Sequence, residues 1–277
     1  MRNRPRASAA LVLVSIAWVV GACANDAPPA SATAAASAQP ALGPFPTELV
    51  EGLRTDPDIA YTEETECGGT PCRVPGDVIA PVSGAGLPTV VMLGGGSTPF
   101  ADRRYQADLA VELANRGAVV FLMSYRSAVT GNYDSASSSD ARCAVRYARA
   151  STAEYGGDPD RVIVVGHSQG GFLGLEIALG PEMEADACIA EGSGRPDGVV
   201  GLGAPSPRLA EARPDAPPVW LFAGSEDGVA AGAAERLRGR GVEVDARELP
   251  GVTHDGITDP AAAPEIVDLI LEALEST

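Results

Sequence analysis

Lysine is absent from this 277-residue sequence: all 20 basic side chains are arginine, against 37 acidic ones. The formal net charge of −17 leaves no general basic face for a phosphate backbone, so nucleic acid is excluded as a partner. An acidic surface of this kind serves solubility. Without a lysine, the run Gly94-Gly95-Gly96 is not a phosphate-binding loop. There are two histidines, His167 and His254, and the cysteines stand apart from them. No zinc-ligand spacing results, and neither a metal nor another cofactor is expected. Aromatic residues are scarce at 5%. The N-terminal apolar run, Ala9 to Val20, is too short to span a bilayer comfortably.

What is present begins with a leader. Arg2, Arg4 and Arg6 precede that apolar run, which ends in small residues, the pattern of a signal peptide over 1–22. Val20-Gly21-Ala22-Cys23 resembles the lipobox of bacterial lipoproteins, in which the cysteine becomes the lipidated N-terminus. Ala22-Cys23-Ala24 also fits ordinary secretion. The first reading anchors the protein by a lipid, without a transmembrane helix, to the outer face of a bacterial cell membrane; the second releases it. Cysteine parity favours the first. Five cysteines are awkward in an oxidising compartment, and assigning Cys23 to a lipid leaves four. Cys67 and Cys72 flank Gly-Gly-Thr-Pro and suit a tight local loop, which leaves Cys143 to pair with Cys188; other connectivities, and buried free thiols, stay open. Residues 23–44 are mostly Ala, Ser, Pro and Thr, a flexible tether. One domain, 45–277, accounts for the rest.

That domain alternates strand and helix signals. Apolar runs at Thr89–Leu93, Ala118–Met123, Arg161–Val165, Ala187–Ala190 and Val219–Phe222 suit parallel strands covered on both faces. Between and after them lie helical segments: Tyr105–Arg116, Ser139–Glu154, Gly171–Leu179, Ala230–Arg240 and Pro264–Glu275. Several stop at a glycine. The alternation predicts an α/β fold with an open, mostly parallel sheet and helices on both faces. Ile59–Thr62 and Arg73–Ala80 are candidate antiparallel edge strands.

Gly166-His167-Ser168-Gln169-Gly170 follows one of these strands directly and precedes an apolar helix. This is the G-x-S-x-G nucleophile elbow in its strand–turn–helix context, with Ser168 as nucleophile. Serine needs a neighbouring base. His167 lies inside the elbow, so its side chain is not expected to face that of Ser168, and His254 remains. The orienting acid should follow a late strand, which selects Asp227 after Val219–Phe222, with Glu226 as runner-up. Asp255 reads as a local neighbour. An oxyanion hole needs backbone N–H groups: one from Gln169, the other from Gly95 or Gly96.

These motifs resemble those of the serine esterases and lipases of the α/β-hydrolase superfamily, over nearly everything from Val74 onward. The resemblance implies hydrolysis of a small-molecule carboxylic ester through an acyl-enzyme. Such families often carry His-Gly before the oxyanion residues; here Leu93-Gly94 takes that place, so that stiffening contact is missing. The stretch between the expected strands at Ala187–Ala190 and Val219 is short and rich in Gly and Pro, so a small or absent lid and short-to-medium acyl chains are expected. A peptidase or thioesterase on the same fold, or a non-catalytic surface lipoprotein, are the rival readings.

Overall fold

The computed structural model describes residues 50–67, 69–96, 103–126, 135–207 and 212–277. The expected leader, Cys23 and the tether lie outside them, as does Ser97.

The apolar runs do form the middle of a sheet. Its strands are β1 (Leu53–Ala60), β4 (Pro75–Pro81), β5 (Leu87–Leu93), β6 (Val119–Met123), β7 (Gly157–His167), β8 (Gly198–Leu202), β9 (Val219–Gly224) and β10 (Val244–Leu249). A separate hairpin, β2 (Thr65–Cys67) with β3 (Thr70–Cys72), sits before β4. The sheet order is β1-β4-β6-β5-β7-β8-β9-β10. Strands β5 to β10 run parallel, while β4, near one edge, pairs antiparallel with both β6 and the edge strand β1. The helices are α1 (Ala107–Asn115), α2 (Ser135–Ser151), α3 (Gln169–Leu179), α4 (Ala233–Arg238) and α5 (Glu265–Glu275).

Side-chain alternation along the strands shows how both faces are covered. From β5, Val90 and Met92 join Leu109 and Leu113 of α1 and Ile266, Ile270 and Leu274 of α5. Their neighbours Val91 and Leu93 join Ala144 and Val145 of α2 and Leu173 and Ile177 of α3. Residues one apart on a strand point to opposite faces, so a continuous apolar run serves two cores at once. Burying each of the Val, Leu, Ile and Met side chains among them contributes about 1.5–3 kcal/mol. Cys67 pairs with Cys72 across the β2–β3 hairpin, and Cys143 of α2 pairs with Cys188.

One expected strand is corrected. Ala187–Ala190 is not a sheet strand; Cys188 makes a single bridge to Thr62. The strand beside β7 is Gly198-Val-Val-Gly-Leu202, whose glycines read as loop in the sequence. They are there for space. A Cβ on Gly201 would lie 2.8 Å from both the Ala204 Cβ and a Leu221 methyl, and one on Gly198 would lie 3.1 Å from the Trp220 ring. Helix α2 also begins earlier than expected, since its serine-rich first turn is a poor helix signal. Among the described residues no helix lies between Leu179 and Val219, and none is long and apolar enough to cross a membrane.

The strand order brings the carboxyl ends of β5, β7, β8, β9 and β10 to one edge. In open parallel sheets that edge is where ligands bind.

Candidate active site

Ser168 stands between β7 and α3 with φ 50° and ψ −114°, a region a side chain enters only under strain. The turn is held closed by glycine. A Cβ on Gly166 would lie 2.5 Å from the Gly170 carbonyl, and one on Gly170 would collide with the Leu93 carbonyl. The Ser168 N–H donates to the Leu202 carbonyl at 2.9 Å, tying the turn to the end of β8. The side chain stays partly exposed.

Two loops away, Asp227 and His254 meet. Asp227 follows β9; its Oδ1 accepts the N–H groups of Val229 and Ala230 at 2.8 and 3.2 Å. That fixes the carboxylate with Oδ2 turned toward His254 Nδ1, 2.9 Å away. Both atoms are shut off from solvent, and neither makes a linear hydrogen bond, so this is a close polar contact between them; such contacts are often poorly aligned before substrate binds. Glu226, the runner-up acid, is exposed, and Asp255 is exposed at the entry of a short 3-10 turn, Gly256–Thr258.

Gly203, the residue after Leu202, packs against both members of the pair. Gly203 has φ +56°, and a Cβ there would lie 2.6 Å from Asp227 Oδ2 and 2.9 Å from His254 Nδ1. The sequence reading missed this residue, because a glycine at a strand end carries no distinctive signal.

His167 is occupied on both ring nitrogens. Nε2 lies 2.9 Å from the main-chain carbonyl of His254, and Nδ1 lies 2.5 Å from Tyr105 Oη. A carbonyl only accepts, so Nε2 carries the proton and Nδ1 receives the Tyr105 hydroxyl. Burial pushes the imidazole down to about 4, so the ring is neutral at ordinary pH. The Tyr105 oxygen in turn accepts the Gly95 N–H at 2.6 Å. Gly95, one of the two expected oxyanion donors, therefore already has a partner.

The Gly94–Gly95 peptide is gripped from both ends, because Tyr125 donates its hydroxyl to the Gly94 carbonyl at 2.6 Å. Gly95 also lies against the elbow: a Cβ there would be 3.0 Å from the Ser168 Cβ. Tyr105 is itself seated by its neighbour Arg103, which forks onto buried Asp77 at 2.7 and 2.9 Å and reaches Ser124 at 3.1 Å. Burial alone would raise the Asp77 carboxyl, but the hydrogen bonds and charge of Arg103, the Asp58 N–H and Arg104 together outweigh it and hold it below the usual range.

His167, His254 and Asp255 could supply metal-ligand atoms within 4.8 Å of one another. Both nitrogens of His167 and Nδ1 of His254 already have partners, which leaves His254 Nε2 and one exposed carboxylate, too few for a protein-held ion. Two cavities of about 550 Å³ open elsewhere, one at the amino ends of β9 and β10 beside Trp220, the other beside Arg195 and Thr277. Neither contains a nucleophile–base pair.

A search of curated proteins finds no match. Residues 77–193, which include Ser168 but neither Asp227 nor His254, match the family model BD-FAE. Among solved structures, a butyrate-bound thermophilic esterase of Thermogutta terrifontis is similar at 18% identity and a TM-score of 0.61, covering 78% of this chain and 94% of that one. An acetyl ester-xyloside bifunctional hydrolase from Caldicellulosiruptor lactoaceticus is 21% identical with a TM-score of 0.59, over 75% and 89% of the two chains. Esterase B from Lactobacillus rhamnosis is 17% identical with a TM-score of 0.63, over 82% and 85%. With this sheet and this elbow, these likenesses show that the chain has the α/β-hydrolase fold.

Proposed function

We propose that this protein is a serine hydrolase that cleaves carboxylic esters of short-to-medium acyl chains through an acyl-enzyme, with Ser168 as nucleophile, His254 as base and Asp227 as orienting acid. The observation that carries the reading is the enclosed Asp227–His254 contact, joined through His167 to the elbow that carries a strained serine. Asp227 fixes the imidazole so that Nδ1 holds its proton and Nε2 is left to accept one. His254 Nε2 takes the Ser168 proton as Oγ attacks the ester carbonyl. The tetrahedral oxyanion is held by backbone N–H groups of Gln169, at the start of α3, and of Gly96, since Gly95 already donates to Tyr105. Collapse expels the alcohol, which receives the proton from His254. Water then repeats the sequence on the acyl-enzyme, releasing the acid and freeing Ser168.

For short-to-medium acyl groups no lid is needed, and among the described residues no helix lies between Leu179 and Val219. The butyrate-bound and acetyl-ester-cleaving neighbours support the same range. Turnover of p-nitrophenyl esters of graded length, together with fluorophosphonate labelling mapped to Ser168, tests the reading. No labelling and no turnover on any ester would leave the non-catalytic alternative standing.

The protein is exported, with residues 1–22 removed and Cys23 lipidated, so that the tether holds the domain at the outer face of a bacterial membrane. The paired Cys67–Cys72 and Cys143–Cys188 support this, because disulfides persist in oxidising compartments and Cys23 is the fifth cysteine left over. Mass spectrometry of the mature N-terminus checks it: a diacylated Cys23 is expected, and an unmodified start at Asn25 means ordinary secretion.

A further inference from the structure

We propose that Tyr105 and His167 are positioning residues for the ester hydrolysis assigned above: a relay of three hydrogen bonds joins the oxyanion turn to the main chain of His254 through the elbow. The inference rests on that assignment and adds two residues that no part of the triad logic requires.

The relay has one direction, set by chemistry. Gly95 donates its N–H to Tyr105 Oη; Tyr105 donates its hydroxyl proton to His167 Nδ1; His167 donates Nε2–H to the His254 carbonyl. A main-chain N–H only donates and a carbonyl only accepts, so the two ends fix the direction of all three bonds. The rings pack as well as bond: Tyr105 meets His167 edge-on at 5.8 Å between centroids, and His167 lies 4.8 Å from the His254 ring.

Three loops that must agree in position are thereby joined. The Gly94–Gly95 peptide is pinned at its carbonyl by Tyr125 and at its N–H by Tyr105. The following peptide, which carries the Gly96 N–H, is aimed by that grip. His167 is covalently next to Ser168, so the same ring that anchors the turn also moves with the nucleophile. Its far side holds the backbone of the base. Tyr105 and His167 stiffen the turn from outside the loop.

Oxyanion donors act through accurate placement, and removing one outright costs about 10²–10³-fold in turnover. Loosening one should cost less. Tyr105→Phe keeps the ring and deletes only the relay oxygen. We expect kcat for p-nitrophenyl acetate to fall about tenfold, equivalent to roughly one lost hydrogen bond, with KM within about twofold and the thermal midpoint within a few degrees. His167→Gln removes the acceptor for Tyr105, and the double variant should lose little more than the worse single one, because the two changes break the same chain. Wild-type kcat in Tyr105→Phe, or losses that multiply in the double variant, would overturn the relay while leaving the hydrolase reading intact. A wild-type protein that neither turns over esters nor labels at Ser168 overturns both together.

Discussion

His167 donates its Nε2–H to the main-chain carbonyl of His254 at 2.9 Å, so the two histidines of the chain are bonded to each other through the backbone of one. That relationship separates their roles. With Nδ1 receiving Tyr105 and Nε2 spent on the carbonyl, His167 has no nitrogen to offer Ser168. His254 keeps Nε2 available, because its Nδ1 faces Asp227.

Replacing His254 with Ala should therefore abolish most esterase activity, with a loss of roughly 10⁴–10⁶-fold in kcat. Asp227→Asn should cost on the order of 10⁴-fold by favouring the wrong tautomer. Asp255→Asn should change little, since its carboxylate is exposed. Steady-state kinetics on one short ester decides all three. Near-normal turnover in His254→Ala alongside a dead His167→Ala would reverse the assignment.

Gly203 should tolerate no side chain. An added Cβ would press on Asp227 Oδ2 and His254 Nδ1 in a backbone conformation of φ +56°. Gly203→Ala should lower kcat by at least about 100-fold, on the scale expected for a displaced catalytic group. A soluble Gly203→Ala protein with wild-type kcat would show that the pair is not held there.

The buried His167 makes stability depend on pH. In the unfolded chain its imidazole titrates near 6.5, and burial in the fold lowers it to about 4. Between those values the unfolded chain binds the extra proton, so stability is full above about pH 6.5 and declines as pH falls toward 4. The decline should reach on the order of 2 kcal/mol between pH 7 and pH 4.5. Tyr105, His254, Asp227 and Asp255 are the titratable groups around this ring. Urea denaturation at the two pH values, run beside His167→Gln, isolates the contribution; equal slopes in both proteins would refute it.

The Arg103–Asp77 pair is expected to be costly to break and cheap to replace. Asp77 is fully buried and Arg103 nearly so, and removing one partner of a buried pair costs about 3–5 kcal/mol. Asp77→Asn should fall in that range by chemical denaturation. Asp77→Leu combined with Arg103→Met should recover most of it. Because Arg103 seats the turn that carries Tyr105, the single variant should lose turnover as well.

Local sequence determined the parts of this protein that depend on near neighbours. The elbow is legible because a strained serine requires Gly166 and Gly170 within two residues of it. The central strands are legible because a strand buried on both faces must be apolar throughout. His254 could be chosen by scarcity, since one of two histidines is confined to the elbow. What the tertiary structure decided depends on residues far apart in the chain. Strand β8 was obscured because Gly198 and Gly201 answer to Trp220, Leu221 and Ala204, side chains that a local pattern does not contain. Gly95 and Gly96 are equivalent in sequence, and only the approach of Tyr105, brought in by the Arg103–Asp77 pair, distinguishes their amides. Periodicity and motif spacing report which face a residue turns to. Which oxygen meets which proton is set by packing between elements, and that is where the relay from Gly95 to His254 was found.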